Sequence, residues 1–264
     1  MTNVIRDNWV YLIWFSFYVL FFSILTGGIV LIFYVFTVPL ALSSVAENVW
    51  RKVVGVRPLR LRREKERLLP LFKEVYEGAI RVNPDLSKRI RLYIKEDMTI
   101  NAFAFGKSTL VLTRGSVELL NDECLQGLIA HEFGHFSHKH TEALLLFMVA
   151  NLPMTFIVRK LTDAKNYFDN TNRRSFLIGG LCSVFYYLFK GISIFGDLIL
   201  MHSSRQNEYT ADRFSISSGF GRELTDVLLE IYSVSISKAQ SVREQLRSTH
   251  PHITLRIQRL ERLI

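Results

Sequence analysis

The sequence predicts a mostly α-helical chain with a small β-sheet, divided between membrane-embedded helices and a domain outside the bilayer. Three observations predict it. The apolar residues, 49% of the 264 in the chain, are gathered into blocks rather than spread evenly, which is the distribution of membrane spans. Two short stretches, near residues 90–95 and 109–112, carry strand-like patterns. Finally, His131-Glu132-Phe133-Gly134-His135 sets two metal-binding side chains four residues apart, stacked one turn above the other on a helix.

Composition narrows the partners. The formal charge is +9 and the pI about 9.6, but no nucleic-acid motif accompanies the charge, so nucleic acid is excluded as a partner and the lipid bilayer is expected instead. Basic residues flanking apolar blocks are what cytoplasmic membrane loops carry. Cys124 and Cys182 indicate no disulfide framework, consistent with a reducing compartment.

Taken in order, residues 1–8 read as a cytoplasmic N-terminus. Residues 9–42 lack any charged side chain, and as one helix would be roughly 51 Å long against a hydrocarbon core of about 30 Å. Thr26-Gly27-Gly28 near the middle therefore suggests a hairpin of two short spans. Arg51, Lys52, Arg57, Arg60, Arg62, Arg63, Lys65 and Arg67 follow directly, which places this side in the cytoplasm, with either anionic headgroups or water against the basic face. Leu68, Leu71, Phe72, Val75, Tyr76, Ala79 and Ile80 recur at helical spacing until Asn83-Pro84-Asp85.

Ile90, Leu92 and Ile94 alternate with Arg91, Tyr93 and Lys95, the pattern of a half-buried strand, and Thr109-Leu110-Val111-Leu112 reads as another. An exposed edge in this region could accept an extended peptide by strand addition, although ordinary sheet core explains the same pattern. Residues 43–141 thus form the first part of a domain that ends in the HExxH helix. Asn121-Asp122-Glu123 caps that helix, and Leu125, Ile129, Phe133 and Phe136 give it an apolar stripe roughly opposite the histidines. His138 and His140 read as cations at its C-terminal end.

Residues 142–202 hold two further apolar blocks, Ala143–Val158 and Phe176–Met201, joined by the polar Arg159–Ser175. Pro153 kinks the first, and the joining loop carries basic residues that are awkward outside the cytoplasm. A second membrane hairpin and an interfacial or re-entrant hairpin both remain open. Residues 203–264 return to the soluble domain.

The two histidines suit zinc, with Glu132 beside them as the general base that takes a proton from the attacking water. The metzincin continuation fails, because positions 138 and 141 are His138 and Thr141. A glutamate on a later helix is the other common solution, and Ser204-Arg205-Gln206-Asn207-Glu208-Tyr209-Thr210-Ala211-Asp212 supplies Glu208 as third ligand. Asp212, four residues on, shares its helical face and can accept the free N–H of a ligand histidine, His131 in particular.

These two segments, together with Thr249-His250-Pro251 before a basic terminal helix and Asn101-Ala102-Phe103-Ala104 before the second strand, resemble the HtpX-type membrane zinc peptidases, gluzincins related to the CAAX prenyl endopeptidases. The resemblance covers nearly the whole chain. It implies a multi-pass protein of the inner membrane carrying a gluzincin-type zinc peptidase domain that faces the cytoplasm and holds a single Zn2+ ion. Misfolded or damaged membrane proteins, or peptides, are the substrates it implies. It further implies that Arg205 supports the ligands, that His250 stabilises the developing oxyanion, and that Asn101, Ala102, Phe103 and Ala104 contact substrate. A capping role explains His250 equally well. Two rivals share these motifs: a specialised processing protease acting on prenylated or other specific peptides, and a catalytically silent zinc-binding membrane adaptor.

Overall fold

The computed structural model describes residues 2–169, 176–235 and 252–264. Two apolar clusters divide it, one among the long helices and one around the sheet.

The first cluster is helical. Helices α1 (Thr2–Leu25) and α2 (Ile29–Ala41) meet at the Thr26-Gly27-Gly28 turn, where Gly27 and Gly28 take φ of 58° and 89°, a region that favours glycine because it has no Cβ. They pack on α7 (His140–Asp169) and α8 (Phe176–Ser217), burying Tyr18, Phe22, Tyr34, Phe147 and Met154 between them. On the outer faces Leu20, Ile32, Phe36, Phe156 and Leu188 are exposed, which suits a hydrocarbon surrounding and not water. Among the described residues, three helical stretches are long and apolar enough to cross a bilayer, namely Asp7–Leu25, His140–Phe168 and Ile178–Ser217. By itself α2, at 13 residues, reaches only about 20 Å. It bends by 70° into α3 (Ser44–Val54).

The second cluster surrounds a four-stranded sheet made of β1 (Val56–Pro58), β2 (Arg91–Lys95), β3 (Ala102–Phe105) and β4 (Thr109–Thr113), in the order β1-β2-β4-β3. β2 and β4 are parallel, with Leu92 beside Leu110 and Ile94 beside Leu112, whereas β1 and β3 pair antiparallel at the two edges. The alternation at Ile90–Lys95 and the apolar run at Thr109–Leu112 both form strands, as expected. β4 is buried throughout because it lies inside the sheet.

β1 was not expected, since it lies within the basic run. Arg57 on it donates to both carboxylate oxygens of Glu64 at 2.6 and 2.9 Å and to Glu96 at 2.7 Å. Helix α4 (Arg62–Val82) follows, and its Arg67 donates to Asp122 and to the carbonyls of Val117 and Leu120. Part of the basic run therefore holds the domain together, and neither headgroups nor water alone account for it.

After the short helix α5 (Arg114–Leu119), α6 (Asp122–Ser137) carries the HExxH pattern through the middle of the domain. Asn121 caps it, accepting from the Cys124 N–H at 2.8 Å. Leu125, Ile129 and Phe133 are fully buried, as the stripe requires. α6 packs against α4, α8 and α9 (Gly221–Ser235), and α10 (Ile253–Glu261) closes over α8 and α9. α8 runs unbroken through residues 202 and 203, so the apolar block and the Glu208 segment are one rod.

Candidate metal centre

His131 and His135 point from successive turns of α6 toward α8, where Glu208 meets them. The His131 and His135 Nε2 atoms are 3.2 Å apart, and each lies near one oxygen of Glu208, at 3.4 and 3.5 Å. These donors form one group able to hold a metal ion. The close approach depends on Gly134, because a Cβ there would stand 2.7 Å from the Ala211 Cα of α8.

The donor set fits a small divalent cation. A tetrahedral centre with bonds of roughly 2.0–2.1 Å requires ligand atoms roughly 3.3–3.4 Å apart, close to the spacings of these three side chains. Charge agrees as well. Among the described residues, Glu132, Glu208 and Asp212 are buried beside one buried guanidinium, Arg256, which leaves an anionic excess that a divalent ion would balance.

Behind each imidazole stands a partner for its other nitrogen. His131 Nδ1 is 3.0 Å from Asp212 Oδ1, which fixes the proton on Nδ1 and leaves Nε2 for the ion. His135 Nδ1 is 3.1 Å from Nδ1 of His140, a buried residue at the start of α7. By sequence alone His140 reads as a helix-end cation. Lys139, with φ of 55°, turns the chain so that His140 swings back onto α6, and no helical periodicity announces such a turn. His138 does sit at the α6 C-terminus, its Nδ1 2.9 Å from the Gly134 carbonyl.

Arg256 was also missed. From α10 it donates to Asp212 at 2.6 and 2.9 Å and approaches Glu208 at 3.0 Å. Burial opposes its charge, but Asp212 and Glu208 outweigh that and raise its pKa. Its Nη2 lies 3.3 Å from His131 Nδ1; both nitrogens are donors when His131 faces Asp212, so this is a packing contact. Without an ion, burial and Arg256 push His131 toward neutrality, while Asp212 and Glu208 prevail and hold its pKa up at about 9. The only signal in sequence was the basic character of the terminal helix.

The other expected residues are placed as follows. Glu132 is buried next to His131 on α6. Arg205 is half-buried one turn before Glu208 on α8, and Arg256 brings a guanidinium to Asp212 and Glu208 from α10. Ala102, Phe103 and Ala104 lie in the edge strand β3, paired with Leu112, Val111 and Leu110, and β3 packs against α6. Asn101 precedes them, its N–H bonded to the hydroxyls of Thr113 and Ser116 at 3.0 and 2.8 Å. His250 lies outside the described residues.

A family model described as "Peptidase family M48" matches residues 72–264. The chain belongs to peptidase family M48. As an M48 protein with HExxH and a His, His, Glu group, it is a membrane metalloprotease by class. Similar proteins include a protease HtpX homolog of Bacillus pumilus, 25% identical over 240 residues that cover 83% of this chain and 79% of that protein. Another is the HtpX homolog of Methanothermobacter thermautotrophicus, 29% identical over 123 residues. That match spans 45% of this chain and 43% of the relative, less than half of either. Among solved structures, S. mikatae Ste24p superposes with a TM-score of 0.57 at 20% identity, covering 95% of this chain and 61% of that one. This likeness is one of fold.

Proposed function

We propose that this M48 protein is a zinc-dependent endopeptidase that cuts misfolded or damaged membrane proteins at the cytoplasmic face of the inner membrane. The observation that carries the reading is the convergence of His131, His135 and Glu208, with Glu132 on the same helix and an edge strand packed against it. When bound, zinc supplies Lewis acidity toward the scissile carbonyl and toward water.

The chain's own groups do the rest. β3 offers main-chain hydrogen bonds along Ala102–Ala104 to an extended segment, so recognition is largely independent of substrate side chains, as a protease of damaged proteins needs. Glu132 takes a proton from the attacking water and delivers it to the departing amine. Asp212 and His140 hold the two imidazoles in one tautomer, and Arg256 holds Asp212 and Glu208 in place. His250 is assigned to the developing oxyanion.

The length of α8 supports a catalytic domain outside the bilayer. α8, 42 residues long, measures roughly 63 Å, about twice the hydrocarbon thickness. Its N-terminal part can lie within lipid while its last turns carry Glu208 to α6 outside. Residues 9–42 and 142–202 are accordingly assigned to the membrane, and 43–141 with 203–264 to the catalytic domain.

The test is Glu132→Gln in the full chain, purified in detergent. Zinc is retained at the wild-type stoichiometry and cleavage of an unfolded membrane-protein substrate is lost. Cleavage at the wild-type rate in that variant would remove Glu132 as base, and a wild-type protein that takes up no zinc would remove the whole reading.

A further inference from the structure

Helix α3 is amphipathic the wrong way round for a protein in water. Its protein-facing side carries Glu47, buried to 6% exposure, together with Ala46 and the half-buried Arg51. The opposite stripe is apolar and open: Val45, Val49 and Val53 are 61%, 55% and 69% exposed, and Trp50 beside them is 40% exposed. A residue every four positions keeps these valines on one face. In water that face would be an apolar liability, while Glu47 and Arg51 are turned to the interior side.

We infer that α3 lies along the bilayer surface, with its valine stripe and Trp50 sunk into the boundary between headgroups and acyl chains. Continuity identifies lipid as the occupant. α2 carries no charged residue and is largely exposed along its outer face, and α3 leaves it at a 70° bend, so the open stripe begins where an apolar helix ends. A helix of this kind settles about 5–10 Å into the interface. Tryptophan is favoured at that depth, and Lys52 on the last turn can reach headgroups. Glu47, Asn48, Arg51 and Lys52 oppose a continuation of α2 across the hydrocarbon core.

The helix is also fastened to the proposed substrate strand. Glu47 accepts from the N–H groups of Lys107 and Ser108 at 3.4 and 3.1 Å, and from the hydroxyls of Ser108 and Thr109 at 2.8 and 2.5 Å. This clamp holds the β3–β4 turn. Gly106, with φ of 60°, lies so close that a Cβ would stand 2.7 Å from the Glu47 Cδ. Trp50 meets Phe105 of β3 edge-on, with ring centroids 6.1 Å apart. A lipid-seated α3 therefore sets the height of β3 above the membrane, and a segment leaving the bilayer meets that strand at the surface. This consequence for substrate rests on the peptidase reading; the placement of α3 does not.

Depth-dependent quenching tests the placement. The full chain with Trp9→Phe and Trp14→Phe leaves Trp50 as the sole tryptophan, and is reconstituted in nanodiscs of phosphatidylcholine brominated near the carbonyl end or near the methyl end of the acyl chain. Stronger loss of Trp50 emission with bromine near the carbonyl end is expected. Equal or stronger loss with bromine near the methyl end would make α3 part of a span, and no loss with either would place it in water or against protein; each overturns the inference. Should the tryptophan variant fail to fold, a nitroxide on Val49→Cys in a Cys124→Ser, Cys182→Ser chain reads the same depth. Its relaxation is enhanced more by oxygen than by a water-soluble nickel chelate if the stripe meets lipid, and the reverse order overturns the proposal. Cleavage assays separate the two readings. With Val49→Asp and Val53→Asp, turnover of a membrane-embedded substrate falls while that of a soluble unfolded peptide is unchanged, whereas failure of the peptidase reading abolishes both in the wild type.

Discussion

Arg256 and Asp212 are joined by two parallel hydrogen bonds, Nε to Oδ2 at 2.9 Å and Nη2 to Oδ1 at 2.6 Å. The same aspartate oxygen, Oδ1, lies 3.0 Å from His131 Nδ1. A fork of this kind fixes the plane of the carboxylate, and through it the imidazole.

Removing the guanidinium strands buried carboxylates. Arg256→Met should lower unfolding stability by about 3–5 kcal/mol, the cost typical of breaking a buried pair from one side. Arg256→Lys should recover only part of it, because an ammonium cannot make the fork. Denaturant unfolding of the metal-free protein in detergent reads both, and a loss under about 1 kcal/mol for the methionine variant would contradict this account.

His140 should act on metal affinity through its Nδ1 lone pair. His135 binds through Nε2 only if its own proton is on Nδ1, so His140 must accept there. His140→Leu should weaken zinc binding by about 10–100-fold, whereas His140→Asn, whose side-chain oxygen can stand near the lost nitrogen, should stay much closer to wild type. Competition against a chelator measures this directly. Equal affinity in all three proteins would leave His140 with a packing role alone.

Gly134 should be irreplaceable for a backbone reason. Gly134→Ala puts a methyl 2.7 Å from the Ala211 Cα, which must push α6 from α8 at a cost of about 1–3 kcal/mol. The same movement widens the gap between His135 and Glu208, so zinc affinity should fall with stability. Gly191→Ala, where a Cβ meets nothing within 4 Å, is the control. If both alanines behave alike in thermal unfolding, close helix approach is not what Gly134 provides.

Acid should weaken the junction of β1 and α4. Hydrogen bonds from Arg57 hold the Glu64 carboxyl below its usual value of 4.5, burial opposing and the Leu61 N–H assisting. A folded pKa lowered in this way gives stability that is present above 4.5 and is lost as pH falls through the lowered value. Glu64→Gln should therefore be less stable than wild type at neutral pH and lose less on acidification. Parallel curves for the two proteins, followed by thermal unfolding from neutral pH downward, would rule out this linkage.

Much of the metal site was legible in the chain because helical spacing is local. His131 and His135 share a face by their separation alone, Leu125, Ile129 and Phe133 are buried opposite them, and Glu208 with Asp212 repeats the same interval on a later helix. The apolar blocks and the Thr26-Gly27-Gly28 turn were equally plain, since composition and backbone freedom are properties of neighbouring residues. Arg256 was not legible. Its partner lies 44 positions away, and one arginine in a basic helix looks like the next until packing selects it. β1 hid inside a run of charge for the same reason, its arginine being neutralised by Glu64 and Glu96 only after folding.

The sequence by itself thus determined which side chains can bind an ion, which stretches prefer lipid and where α1 turns into α2, because each depends on a few consecutive residues. Tertiary structure alone decided what stands behind each imidazole, which guanidinium is buried, and that α3 turns Glu47 inward. Those outcomes depend on which distant surfaces exclude water from one another, and that is settled only when the whole chain has packed.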